Sequence, residues 1–106
     1  MPEARAVLDA AMSEAEWQAQ IVNYARLNSW LVHHNSDSRR SDPGLPDLIL
    51  VRGDHVIFLE VKSMKGKMRE QQEAWMGRLK AASQVRAAVV RPSDWDTLEE
   101  QLRSLP

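Results

Sequence analysis

The spacing of hydrophobic residues in the first third of the chain follows the period of an α-helix. An amphipathic helix is predicted over residues 13–27, because its apolar positions recur every three or four residues. Ser13 and Glu16 have the spacing of a capping box, so the helix should begin at this serine. Residues 1–12 carry weaker signals, and we expect them to be frayed. The apolar stripe of the helix consists of Trp17, Ile21, Tyr24 and Ala25.

Three apolar runs then predict strands, over residues 30–32, 47–51 and 56–61. The second and third runs are separated by Gly53-Asp54, which is a plausible hairpin turn with glycine at the first turn position. Both runs are apolar on both faces, as expected of strands buried inside a sheet. Residues 33–46 between the first two runs are polar and predict a loop, which is long for so small a domain.

The second half of the chain predicts two further helices around a fourth strand. A helix over 69–82 should bury Met68, Trp75, Leu79 and Ala82, and residues 85–90 should form the strand. The last helix should begin at Pro92, with Ser93 as its cap. Its inward residues are expected to be Trp95, Leu98, Leu102 and Leu105. The predicted order αβββαβα indicates the α/β class, with a mixed four-stranded sheet flanked by helices, whose last two strands are parallel and joined by a right-handed crossover.

Length and composition restrict the kind of protein this is. The chain has 106 residues, the size of a single domain over 1–106, and its 43% apolar residues are enough for one core. It contains no cysteine, which excludes disulfides and thiolate metal sites. No apolar run approaches the roughly 18 residues of a membrane span, and the N-terminus lacks a secretory signal. We therefore expect a cytoplasmic protein with no membrane partner and no small-molecule cofactor.

Charge is balanced in total but unevenly distributed. The net charge is −1 and the sequence pI about 6.3, which is not typical of a general nucleic-acid binder. However, Lys62, Lys65, Lys67 and Arg69 fall within eight residues that contain no acid, and Arg39-Arg40 form a second cluster. These residues could form one basic face that attracts phosphates. Solvated lysines on an ordinary surface turn explain the pattern equally well.

One group of charged residues suggests catalytic chemistry. Glu60 and Lys62 are two positions apart in a predicted strand, so they share one face. Asp47 begins the preceding strand, and a hairpin brings that start close to the end of the next strand. The three side chains should therefore converge at one edge of the sheet. An idle Glu–Lys pair at a strand end is the alternative, and the proline and aspartate upstream make it the weaker one.

Two carboxylates and an ammonium at one point suit a hard divalent cation. Mg²⁺ or Mn²⁺ prefers oxygen ligands and would polarise a phosphodiester. Lys62 could then orient or deprotonate a water molecule, or stabilise charge on the phosphate.

Several other polar residues are weaker candidates. Gln72 lies on the apolar stripe of its helix and should point at the sheet near Glu60, although a half-buried glutamine at a helix end is equally probable. Glu14 should face the core side of its helix, although an acid that favours the helix dipole is the even alternative. His34 is a candidate phosphate contact. Ser38, Arg39 and Arg40 could also bind backbone phosphates. The alternative is that these polar residues only face solvent in the 33–46 loop.

The ordered set of motifs resembles a known family. The set comprises Ser13-Glu14 with Gln18, Ser38-Arg39-Arg40-Ser41, Pro43-Gly44-Leu45-Pro46-Asp47-Leu48, Glu60-Val61-Lys62, Gly66, Gln72, Trp75 and Arg91-Pro92-Ser93-Asp94-Trp95. These residues resemble the PD-(D/E)XK nuclease superfamily, and more narrowly its VRR-NUC group of small nucleases, many from phages. The resemblance covers residues 13 to about 98. One departure is Ala-Ala-Ser-Gln at 81–84, where a glycine often precedes the fourth strand.

The resemblance implies a restriction-endonuclease-like fold and a specific set of roles. It implies metal ligation by Asp47, Glu60 and the Val61 carbonyl, with Lys62 as the catalytic lysine. It also implies that Glu14 completes the site, with contact to the metal through water, and that Gln72 is the glutamine that follows the strand. Together with the basic cluster, it makes Lys65 and Lys67 candidate DNA contacts.

The function expected from the residues and the resemblance is that of a structure-selective DNA endonuclease dependent on Mg²⁺ or Mn²⁺. The resemblance extends to archaeal Holliday-junction resolvases, which implies a homodimer acting on branched DNA in a bacterial or phage-infected cell. A non-catalytic DNA-binding or assembly module on the same scaffold is the alternative. A restriction enzyme is less favoured, because no element is evidently free to read bases in a major groove.

Overall fold

A computed structural model describes residues 2–35 and 43–106, which form a single four-stranded sheet with helices packed against it. The strands are arranged side by side in chain order, β1-β2-β3-β4. In the described part of the chain no helix combines the length and the hydropathy of a membrane span. The elements are α1 (Pro2–Ala11), α2 (Glu14–Leu27), β1 (Leu31–His34), β2 (Leu48–Arg52), β3 (His55–Val61), α3 (Glu70–Ala81), β4 (Arg86–Val90), a 3₁₀ turn (Pro92–Asp94) and α4 (Trp95–Ser104).

Strand pairing agrees with the sequence prediction of a mixed sheet. β1 pairs with β2 and β2 with β3 in antiparallel fashion, whereas β3 and β4 are parallel and joined through α3. The β2–β3 hairpin turns at Gly53-Asp54, where the glycine has a φ of +56°. The predicted turn is therefore confirmed, and it fixes the register with Arg52 opposite His55.

The main core lies on one face of the sheet, between the strands and helices α2 and α4. Trp17 and Ile21 of α2 and Leu102 of α4 are fully buried there. The alternate strand residues that face them are Leu48, Leu50, Ile57, Leu59, Val61 and Val90. The predicted inward faces of α2 and α4 are therefore confirmed, and so is the Ser13–Glu16 capping box, whose two hydrogen bonds are both 3.0 Å long.

The opposite face of the sheet is covered less completely than the sequence indicated. Helix α3 packs on β4 and β3, and its buried residue is Met76 rather than a member of the predicted stripe. The prediction that β2 is buried on both faces is wrong at Val51, which is 37% exposed, and the neighbouring Leu31 is 75% exposed. The reason is that the crossover places α3 over the last two strands, which leaves the β1–β2 half of this face open.

The N-terminal segment and the last helix also differ from expectation. Residues 2–11 form helix α1, which contacts the start of the last helix through an Arg5–Asp96 ion pair of 3.0 Å. Ser93 does not cap α4, because the chain makes a 3₁₀ turn first and the helix begins one residue later, after Asp94. The Asp94 carboxylate instead accepts the Arg91 backbone N–H at 2.8 Å.

A partly buried arginine ties the C-terminal end of the chain to the sheet. Nη1 of Arg52 donates to the carbonyl oxygens of Asn28 at 2.8 Å and Leu102 at 2.9 Å, and Nη2 donates to the Leu105 carbonyl. Its guanidinium carbon also lies 4.6 Å from the centre of a Trp30 ring. These contacts satisfy carbonyl groups at the C-terminal ends of α2 and α4, where no further helical turn is available.

We expect Arg52→Ala to lower the free energy of unfolding by about 2 kcal/mol, because several charge-assisted hydrogen bonds and a cation–π contact are lost together. Urea denaturation followed by tryptophan fluorescence measures this change. The matched control is Arg103→Ala, which removes an exposed arginine of α4. Equal effects of the two substitutions would contradict a structural role for Arg52.

Candidate active site

The hairpin register places the two predicted carboxylates next to each other. Leu48 pairs with Leu59, so Asp47, the residue before β2, is opposite Glu60 near the end of β3. Oδ2 of Asp47 accepts the backbone N–H of Val61 at 2.9 Å, which extends the contact between the strands by one residue. The predicted convergence of residues 47 and 60 therefore rests on ordinary antiparallel pairing.

Glu60 and Lys62 are buried charged residues, which is costly unless they have partners. Glu60 is 2% exposed and Lys62 is 8% exposed. Nζ of Lys62 lies 3.5 Å from Oε2 of Glu60, and Nε2 of Gln72 donates to the same oxygen at 3.0 Å. The other oxygen, Oε1, is buried and has no hydrogen-bond partner in the described part of the chain.

The surroundings of Glu60 favour its protonated form. The pKa of this carboxyl group is raised from 4.5 to about 8, and the largest cause is burial, which removes the hydration of the charged form. The neighbouring Asp47 contributes to the same rise, through its negative charge and through the hydrogen bond that a protonated Glu60 can donate to it. Lys62 opposes both effects. With both carboxylates ionised the site would hold two negative charges against a single ammonium, and the raised pKa shows that the metal-free site favours a protonated Glu60 instead.

The start of α3 also borders the site, because Gln72 in its first turn contacts Glu60. Oε1 of Gln72 accepts the Arg69 N–H at 2.9 Å at the beginning of the helix, while its amide nitrogen reaches Glu60. Gly44, with a φ of +93°, lies so close to α3 that an added Cβ would stand 2.4 Å from the backbone carbonyl carbon of Gln71. This contact needs glycine, and it brings the segment before Asp47 against the helix that carries Gln72.

The donor set fits a hard divalent cation. The buried and unpaired Oε1 of Glu60 lies beside a second carboxylate, and carboxylate oxygens are the ligands that Mg²⁺ and Mn²⁺ prefer. Within residues 2–35 and 43–106, however, no cluster of three or more His, Cys, Asp or Glu residues could hold a metal ion. A cation at this point would therefore take its remaining ligands from the backbone, water or substrate.

The remaining candidates among the described residues make no hydrogen bond or ion pair with Asp47, Glu60 or Lys62. Glu14 is exposed on the first turn of α2. Nε2 of His34, at the end of β1, lies 2.6 Å from the amide nitrogen of Gln18 on α2. Lys65 and Lys67 are exposed in the loop after β3, whereas Lys62 is buried and does not add to a basic surface. Ser38, Arg39 and Arg40 lie outside the described residues.

One residue near the site was not singled out by sequence reasoning. Arg91, directly after β4, donates through Nη1 to the carbonyl oxygens of Ser63 at 2.6 Å and Gly66 at 2.7 Å. It therefore holds the turn that follows Lys62. Its only signal in the sequence was its place in the motif Arg91-Pro92-Ser93-Asp94-Trp95, which carries no information about a side-chain target.

Comparison with known families identifies a match over most of the chain. The family model of the VRR-NUC domain matches residues 4–94. VRR-NUC domains belong to the PD-(D/E)XK nuclease superfamily, and the mixed sheet with its flanking helices is consistent with a restriction-endonuclease-like fold. The comparison with curated proteins finds no similar sequence.

The raised pKa of Glu60 has a measurable consequence for the metal-free protein. An unfolded chain releases this proton near pH 4.5 and the folded chain near pH 8. Between these values the folded state binds more protons, so the free energy of unfolding should fall as the pH rises. We expect this decline in urea denaturation measured in EDTA from pH 5 to pH 9.

Glu60→Gln should remove that decline and make the metal-free protein more stable than the wild type at pH 8.5, by at least about 1 kcal/mol. Glu73→Gln is the matched control, since Glu73 is exposed on α3. A wild-type stability curve parallel to that of Glu60→Gln would show that Glu60 titrates normally.

Proposed function

Because the chain belongs to the VRR-NUC domain family of nucleases, we propose that Asp47, Glu60 and Lys62 form the active centre of a metal-dependent DNA endonuclease. The observation that supports this most directly is the unpaired, buried Oε1 of Glu60 beside a second carboxylate. A buried carboxylate oxygen without a hydrogen-bond partner is costly, and a structural role alone does not explain its presence.

The residues of the site have separate roles in the proposed hydrolysis of a phosphodiester. Asp47, Glu60 and the Val61 carbonyl would hold Mg²⁺ or Mn²⁺, and the bound ion would polarise the phosphate and lower the pKa of water. Lys62 orients or deprotonates the attacking water, or stabilises the charge that develops on the phosphate while the bond from phosphorus to the leaving oxygen breaks. Gln72 donates to Oε2 of Glu60 at 3.0 Å, which leaves Oε1 as the oxygen that would be available to the ion.

The proposed DNA contacts surround this centre. Lys65 and Lys67 are exposed a few residues after the catalytic lysine, where they can neutralise backbone phosphates. His34 is exposed at the end of β1 and is oriented by Gln18. We also assign phosphate contacts to Ser38, Arg39 and Arg40, and a contact to the metal through water to Glu14. These last four assignments derive from the residue types and the family resemblance.

The proposed substrate is branched DNA, such as a four-way junction, and the proposed active form is a homodimer. A chain of 106 residues offers little surface with which to hold a junction alone. A two-fold dimer presents two active centres to opposed strands, which matches the symmetry of such a substrate. A protein with this substrate would act where the DNA of a bacterial or phage-infected cell is located, in the cytoplasm.

A non-catalytic DNA-binding module is the alternative from another functional class. The same basic residues would serve such a module, and the fold would be unchanged. The site argues for the enzyme, because a binding module gains nothing from a desolvated carboxylate next to a second one. A cleavage assay distinguishes the enzyme from the binding module, whereas a DNA-binding assay does not.

Lys62→Ala should abolish cleavage while leaving DNA binding intact. We expect a loss of at least about 100-fold in the rate on a labelled four-way junction with Mg²⁺ or Mn²⁺, which is the usual size of such a catalytic contribution. Binding is measured by fluorescence anisotropy in Ca²⁺. Lys80→Ala, which removes an exposed lysine of α3, is the matched control for the loss of charge.

The same assay includes nicked, flapped and linear duplexes, each with and without EDTA. Cleavage of junctions above linear duplex supports the proposed substrate, and equal cleavage of all forms contradicts selectivity. Binding without cleavage under either metal would favour the non-catalytic module.

A measurement of the molecular mass in solution tests the proposed homodimer. Light scattering coupled to size exclusion should give twice the 12.1-kDa mass of one chain, alone and on the junction. A complex with one chain per junction would contradict the proposed arrangement of two active centres. Linear duplex of equal length serves as the control DNA.

A further inference from the structure

The end of β4 holds the backbone on both sides of the proposed catalytic lysine. The Val90 carbonyl accepts the Lys62 N–H at 3.0 Å, which fixes the lysine's own backbone. The next residue, Arg91, reaches the turn that follows, residues 63–66, through the carbonyl oxygens of Ser63 and Gly66. Its Nη1 also lies 3.4 Å from the Met64 carbonyl oxygen. One strand end therefore fixes the lysine and the turn together.

The 63–66 turn packs directly on the lysine side chain. A Cβ placed on Gly66 would stand 3.4 Å from Cδ of Lys62 and 3.2 Å from Oγ of Ser63. The turn therefore lies against the aliphatic stem of Lys62, which directs the ammonium group to Oε2 of Glu60 at 3.5 Å. If the turn moves, the lysine gains rotational freedom.

Arg91 is itself held in place. Its N–H donates to the Asp94 carboxylate at 2.8 Å, and the Asp94 N–H donates to the Arg91 carbonyl, also at 2.8 Å. The arginine is half-buried, and one guanidinium nitrogen serves the carbonyl oxygens of the turn. In an arginine whose role is to bind phosphate, the N–H groups of Nη1 would not be engaged by backbone carbonyl oxygens.

We propose that Arg91 is a positioning residue for Lys62, acting through the 63–66 turn rather than through contact with DNA. This inference rests on the proposed function, because it gives Lys62 its catalytic role. The two N–H groups of Nη1 suit this task, because the carbonyl oxygens of Ser63 and Gly66 in the tight turn both face this one nitrogen.

The test separates rate from binding. Because a displaced catalytic group can lose up to about 100-fold in rate, we expect Arg91→Ala to lower kcat on the junction by at least about 10-fold and to leave KM within about threefold. Arg91→Lys retains an ammonium that can donate to the same carbonyl oxygens, and it should recover at least about threefold of the lost rate. The control is Arg86→Ala, which removes an exposed arginine of β4 and should leave kcat and KM at their wild-type values.

A direct phosphate contact would give the opposite pattern. In that case Arg91→Ala would raise KM, leave kcat unchanged and reduce the salt dependence of binding by about one phosphate contact, as expected for Lys67→Ala. This outcome would overturn the inference.

A second measurement does not depend on catalysis. In metal-free and DNA-free protein, ¹³C relaxation of Lys62 Cε should show a rigid side chain in the wild type and a mobile one in Arg91→Ala. If the wild type cleaves no DNA, the proposed function fails, and this measurement still decides whether Arg91 holds Lys62. Unchanged Lys62 mobility would overturn the inference.

Gly66→Ala provides a variant that does not remove a hydrogen bond. The added methyl group would stand 3.2 Å from Oγ of Ser63, so the turn must shift by a few tenths of an ångström beside the Lys62 side chain, whose Cδ would be 3.4 Å away. It should lower kcat in the same direction as Arg91→Ala, so the test stands even if the arginine variant folds poorly. Wild-type kcat and wild-type Lys62 mobility in Gly66→Ala would contradict the role of the turn.

Discussion

The burial of one carboxylate governs the arrangement around it. Glu60 lies near the end of the third strand, where water is excluded, and its charge is opposed by a single lysine and accompanied by a second carboxylate. Two donors satisfy one of its oxygens and leave the other without a partner. The folded chain without a cation therefore carries an electrostatic cost at this point. Under the proposed function a divalent ion would offset that cost, and ion binding would then stabilise the whole domain.

Each neighbour of this carboxylate comes from a different element, and the sheet provides the common frame. The β2–β3 hairpin sets residue 47 opposite residue 60. The parallel strand β4 ends beside Lys62, and α3 begins where its first turn can reach Glu60. Because hydrogen-bond register is fixed along a whole strand, a slip of one residue would turn Glu60 into the hydrophobic core. The site and the fold are thus specified by the same pairing.

The two faces of the sheet serve different purposes. Helices α2 and α4 bury nearly all the large apolar side chains on one face, and this core supports a small domain. Glu60 and Lys62 alternate with Leu59 and Val61, so they point to the other face, where α3 covers only the last strands. Concentrating the core on one side leaves the face of Glu60 and Lys62 less completely covered, and this is the face on which the proposed function places the DNA.

The sequence by itself determined most of the elements and the convergence of Asp47, Glu60 and Lys62. Periodicity located helix α2, its capping box, the hairpin and all four strands, because these depend on local contacts and on a repeat of two or 3.6 residues. The spacing of Glu60 and Lys62, with Asp47 before the hairpin, was sufficient to bring the three together.

Tertiary structure alone decided what each side chain contacts. Periodicity gives the face of a helix but not the angle at which it packs, so it missed Met76 as the buried residue of α3 and the Arg5–Asp96 contact of helix α1. It also could not show that both donors to Glu60 share one oxygen, or that Arg91 reaches a turn 25 to 28 residues earlier in the chain. Contacts of this kind depend on differences of about an ångström in the placement of whole elements, and the pattern of residue types does not contain that information.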